Sequence, residues 1–256
     1  MAELGLPLWQ LQVAVAIGVI GVWIGWQGGM RRMVGFYDLP TATRLLIYGI
    51  VTGAIYQSIA SMLVMDPMWQ GKPAPLLLLF LVPLFISTLT MFLLTREGVR
   101  RLNGQPTAGW AFGLGLGSML VVLLMYRIFT ADPSLGFWLT GFNPATLLLG
   151  AALSAVVPWT MAIIASWQGW HALELRRFKP TFKATLLHAM LLVLLAFGIV
   201  YPIALFALPA FILWGQAQAD AVWLPAGLSP RMKQEWKRLQ RTGVSTGVRA
   251  VATEEE

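Results

Sequence analysis

Residues 74–95 read APLLLLFLVPLFISTLTMFLLT, and residues 96–101 continue as REGVRR. The first string holds no charged side chain, and the second opens and closes on arginine. A hydrocarbon layer about 30 Å thick is crossed by roughly 20 helical residues. Lipid offers the backbone no hydrogen-bond partners, and the run lacks period-two alternation, so it predicts a membrane-spanning helix rather than a strand.

Five other runs have the same length and character: 8–27, 44–65, 108–131, 144–166 and 184–206. The predicted fold is therefore all-α, a polytopic transmembrane bundle of six spans over residues 1–229, followed by a basic tail, 230–256, that is amphipathic or disordered. The first run lacks a basic leader and a small-residue cleavage site, so it reads as a retained span. Composition agrees. Hydrophobic residues make up 57% of the chain and charged residues 11%, at a mean hydropathy of +0.70. A soluble domain carries about 25% charged residues. Exposing this much apolar surface to water would cost about 25 cal/mol per Å². The chain has no cysteine, which excludes disulfides, thiolate metal sites and cysteine nucleophiles.

Charge is placed, not spread. Arg31, Arg32 and Arg44 follow span one; Arg96, Arg100 and Arg101 follow span three; Arg176, Arg177, Lys179 and Lys183 follow span five. The opposite loops, 66–73 and 132–143, carry Lys72 alone, with Arg127 near the end of span four. Basic residues mark the cytoplasmic side. This predicts an integral protein of the cell membrane with its N-terminus outside, and assigns the net charge of +7 to topology rather than to nucleic acid. The tail resists the scheme. Six spans put it outside, yet it holds Arg231, Lys233, Lys237, Arg238, Arg241 and Arg249. Residues 184–223 are too long for one span, and Pro202 and Pro209 each remove a helix hydrogen bond. Six spans are preferred over a broken seventh, because a hairpin at Pro202 would leave two short helices.

The three arginine turns share a pattern. Arg31-Arg32 precedes Pro40-Thr41, Arg100-Arg101 precedes Pro106-Thr107, and Arg176-Arg177 precedes Pro180-Thr181; Trp-Gln-Gly stands at 26–28 and again at 167–169. Three two-helix repeats would give this pattern, and so would positive-inside pressure combined with proline at helix starts. Mitochondrial carriers also use three two-helix units, but their odd helices place an acid two residues after a proline. Phe85 and Thr160 stand there, so the chain is not read as a carrier.

Candidate sites each have two readings. Thr52, Tyr56, Gln57 and Ser61, with Gly49, Gly53 and Ala60, form one small, polar stripe on span two. It lines a solute pathway or packs against another helix. Gly109, Gly113 and Gly117 form a close-packing stripe on span four, with Gly21 and Gly25 a second copy on span one. Met62, Met65 and Met68 suit soft Cu(I) or fill gaps. His188, inside a span, is a possible haem ligand or a packed core histidine; His171 is expected at the interface. The pairs Arg31-Arg32, Arg100-Arg101 and Arg176-Arg177 suit anionic lipid or a cytoplasmic partner. Trp9, Trp69, Trp138, Trp214 and Trp223 are assigned to an outer aromatic belt and Trp26, Trp110, Trp167 and Trp170 to an inner one. In the tail, Met232, Trp236 and Leu239 share one helix face, expected at a lipid surface.

The span interiors as drawn contain no acid, and no nucleophile elbow, P-loop or His-Glu-x-x-His is present. An enzyme is thus the weakest class. The sequence favours a structural or accessory subunit of a larger membrane complex, whose partners are lipid and either other membrane subunits or a second copy. The alternative is a small-solute transporter or channel using the polar face of span two. No cofactor is assigned.

Overall fold

The computed structural model describes residues 8–72, 76–131 and 140–242; it shows helices and turns, with no strand among those residues. Several of the positions read above, namely 73–75, Trp138, Arg249 and the rest of the tail beyond 242, lie outside the described residues.

The helices are α1 (Leu8–Gly28), α2 (Leu39–Ala60), α3 (Leu76–Leu94), α4 (Gln105–Thr130), α5 (Pro144–Leu173), α6 (Phe178–Val200), α7 (Ala207–Gln218) and α8 (Pro230–Thr242). Local chemistry sets several starts. Asp38 caps α2 by accepting from the Thr41 amide at 2.9 Å, with Pro40 in the first turn. Asn143 and Thr146 form a reciprocal capping box on α5, at 3.0 and 3.1 Å, with Pro144 next to the cap. α2 does not stop at Ala60. It runs through a π turn, Ser61–Met65, into Asp66–Trp69.

α4 is the axis of the molecule. Every residue from Gln105 to Ser118 is buried. It can be surrounded because glycines let neighbouring backbones approach it. Gly109, Gly113 and Gly117 lie against the α5 backbone at Ala165, Met161 and Pro158. Gly115 abuts the Leu46 carbonyl of α2, and Gly49 and Gly53 of α2 abut Phe112 and Leu116 of α4. α1 adds Gly18 beside Ser118 and Gly21 beside Ser154 and Pro158. The Pro158 ring, which interrupts the hydrogen bonding of α5, is thus wedged between two glycines. α3 and α6 pack together and flank this group. Outward faces are large and apolar: Ile47, Val51, Ile55, Ile59 and Met62 on α2, and Leu186, Met190 and Phe197 on α6.

Among the described residues, seven helical segments, not six, are long and apolar enough to cross a membrane; the seventh is Pro202–Gly227. The chain leaves α6 at Tyr201, whose backbone (φ −127°, ψ 84°) lies outside the helical region that proline disfavours in the residue before it. It reverses there. Leu205 fits against the bare backbone of Gly198, and Trp69 donates to the Ala196 carbonyl at 3.1 Å. The segment then travels back through a 3-10 turn (Pro202–Phe206), α7, a π turn (Ala219–Trp223) and a second 3-10 turn (Leu224–Gly227). Gly227 ends against the Asn103 carbonyl, at the arginine turns. The expectation of two short helices fails because tight and loose turns join the pieces into 26 continuous residues. α8 therefore starts at the end of the bundle that carries Arg32 and Arg101. Its Trp236 is buried with Met30, Met33 and Trp110, and Met232 packs on the same cluster, so this face meets the protein rather than a lipid surface.

Two further expectations change. The packing is not threefold: α4 is enclosed, whereas α2 and α6, its counterparts in a two-helix repeat, keep lipid-facing sides. Among the tryptophans, Trp110 belongs to the core rather than to a belt, donating to the Gly25 carbonyl at 3.1 Å. Trp223 moves to the arginine end, stacked on Trp170 at 6.5 Å.

Candidate functional site

Three polar groupings interrupt the apolar interior. The first is the α2 stripe. Thr52, Tyr56, Gln57 and Ser61 are all buried on the side that the glycines press against α4. Gln57 Nε2 donates to Ser61 Oγ at 3.0 Å and lies 3.6 Å from Met65 Sδ. Among the described residues, Gln57 Oε1 and the Tyr56 hydroxyl have no hydrogen-bond partner. The π turn just beyond changes which way the methionines face. Met62 is 73% exposed, Met65 is wholly buried and Met68 is intermediate, so the three thioethers do not surround one point.

The second grouping joins α3, α5 and α6. His188 Nδ1 lies 2.9 Å from Ser87 Oγ, and Gln168 Nε2 donates to the Ser87 carbonyl at 3.1 Å. All three residues are buried. His171 has separate surroundings, between Trp167 and Trp170 and 3.6 Å from Glu174. The two imidazoles therefore do not form a shared ligand set. Among the described residues, no group of three or more His, Asp or Glu side chains is placed to hold a metal ion.

The third grouping was not legible under a six-span reading. Asp220 lies inside the seventh segment and pairs with Arg32 from the first arginine turn. Gln216 Nε2 donates to Asp220 Oδ1 at 2.8 Å and to the Gly28 carbonyl at 3.2 Å, while Trp159 Nε1 donates to Gln216 Oε1 at 2.7 Å. A chain of polar side chains thus ties segment seven to α1 and α5. The four-residue spacing of Gln216 and Asp220 puts both on one face, and that spacing is the signal in the sequence. At the other end, Asp66 pairs with Arg127, whose guanidinium also stands 5.6 Å from the Trp69 ring centre. Each of these acids meets an arginine from another element.

The six turn arginines are exposed. Arg31 donates to Gln27 at 3.1 Å, Arg101 pairs with Glu97, and Arg176 stands 3.5 Å from Glu174. A half-open cavity of about 260 Å³ lies among these turns, between Tyr37, Asp38, Asn103, Thr107, Leu228 and Met232. At its edge the Thr41 hydroxyl and amide hold the Asp38 carboxyl below its usual range, and partial burial pushes the Tyr37 hydroxyl up.

The class this architecture defines is a multi-pass α-helical membrane protein. No protein-family model matches the chain, and no curated protein or solved structure matches it either.

Proposed function

We propose that the protein is a non-enzymatic, multi-pass accessory subunit of a larger assembly in the cell membrane, with its arginine turns and tail in the cytoplasm and its N-terminus outside. The observation that carries this reading is the closed centre. α4, where a pathway would run, is surrounded by backbones in glycine-mediated contact. The polar stripe of α2 faces that contact and not an open cavity. The interior suits a rigid body presented to neighbours. The exposed arginine pairs, Arg100-Arg101 above all, suit anionic lipid or a cytoplasmic partner.

Purification in mild detergent tests this. Other membrane chains are expected in constant ratio to this one, and Arg100→Gln with Arg101→Gln is expected to release any partner held at that turn. A lone monomer that carries solute across liposomes would overturn the reading. The second reading, a small-solute transporter, draws on the unpartnered Tyr56 hydroxyl and Gln57 Oε1. Its test is flux through reconstituted protein, abolished by Gln57→Leu at unchanged expression.

A further inference from the structure

Between α5, α6 and the seventh segment runs a half-open groove of about 400 Å³. That volume falls within the roughly 300–1,000 Å³ of small-molecule sites. Its walls include Ile163, Trp167, Leu187, Phe211 and Trp223, and among the described residues its only charged lining residue is Lys183. Leu186 and Trp214 stand at the rim, both strongly exposed, so the groove opens sideways towards the surrounding lipid. The charge lies at one end. Lys183 is in the second turn of α6, near the arginine end, where Trp170 stacks on Trp223. It forms no ion pair among the described residues, and its basic neighbours Arg177 and Lys179 are exposed. The nearby Glu174 is already engaged by His171 and Arg176. α6 also begins without a side-chain cap, which leaves the positive end of its dipole at the same level.

We propose that this groove holds one chain of an anionic glycerophospholipid, with the lipid phosphate on Lys183. Apolar walls along the membrane depth fit a hydrocarbon chain. One unpaired ammonium at the headgroup level fits the charge that such a lipid brings. The aromatic rings suit a chain lying along their faces and keep the Lys183 end at the interface. This assignment does not depend on whether partner subunits exist.

Native mass spectrometry of the full chain tests it, after equilibration in detergent with phosphatidylglycerol or with phosphatidylcholine. The expected result is one retained phosphatidylglycerol, in excess over phosphatidylcholine. Lys183→Gln should lower that retention about fivefold, as expected for one basic group at an anionic surface. Leu187→Trp, which fills the groove, should remove both lipids. Lys72→Gln, an exposed lysine at the opposite end of the bundle, should change nothing. Equal retention of the two lipids, or equal losses in Lys183→Gln and Lys72→Gln, would overturn the proposal. So would a lipid-free dimer that Leu187→Trp dissociates, since a second copy would then occupy the groove. Lys183 is exposed, so its variant keeps the test decisive if Leu187→Trp fails to fold.

Discussion

Asp38 shows how one side chain sets the start of a span. Its carboxylate accepts from Thr41 and is held below its usual range by that residue's hydroxyl and amide. The cap is therefore at full strength above the ordinary carboxylate value, near pH 4. It fades as pH falls through the lowered one. Asp38→Ala is expected to cost about 1 kcal/mol at neutral pH. Asp38→Asn should keep most of the cap and remove its acid sensitivity. Thermal unfolding in detergent at pH 7 and pH 3 checks both. At the buried polar node, Ser87→Ala leaves His188 Nδ1 without its hydroxyl partner. A loss of about 0.6 kcal/mol is the usual scale for such a contact between membrane helices. A haem absorption band lost in His188→Leu would instead make the imidazole a ligand.

Among the elements, the α4–α5 contact sets the tightest limits. A Cβ on Gly113 would overlap the Met161 carbonyl, and backbone cannot move aside as a side chain can. Gly113→Val should therefore destabilise the bundle by about 1–3 kcal/mol or more. Gly98→Ala, with nothing within 4 Å of the new methyl, should be silent. Melting temperatures of the two purified variants check this pair. The sequence exposed the spacing of Gly109, Gly113 and Gly117 because small residues at four-residue intervals align on one helix face. Which helix they meet was not legible, since α1, α2 and α5 all carry glycine or alanine faces of similar kind. The π turn was hidden for another reason. Ser61–Met65 looks like ordinary helix in composition, and one extra residue in a turn leaves no mark on hydropathy. Hence the three methionines differ in exposure: positions three apart share a face only where the turn is regular.

Over the whole molecule, the apolar runs and arginine turns made the all-α, multi-pass fold readable, because lipid permits few alternatives. The seventh segment escaped. Pro202 and Pro209 made 202–227 look broken, and hydropathy does not register that 3-10 and π turns can carry a chain past such breaks. The basic tail was the contrary signal, and the return of the chain accounts for it. Cysteine labelling is direct, since the chain has no cysteine of its own. Cysteines replacing Arg31 and Lys233 should react from one side of the membrane and a cysteine replacing Gln70 from the other. Labelling of the Lys233 position together with Gln70 would refute the seventh crossing.

The Arg32–Asp220 pair also has an order in time. The two partners are separated by 188 positions. When the first hairpin leaves the ribosome, Arg32 lacks this counter-ion, which arrives only once Asp220 has been made. The early helices can pack around α4 before this pair exists, and the seventh segment adds its ties to α1 and α5 only when it arrives. A chain stopped before Gln216 would lack the Arg32 ion pair and the hydrogen bonds to Gly28 and Trp159.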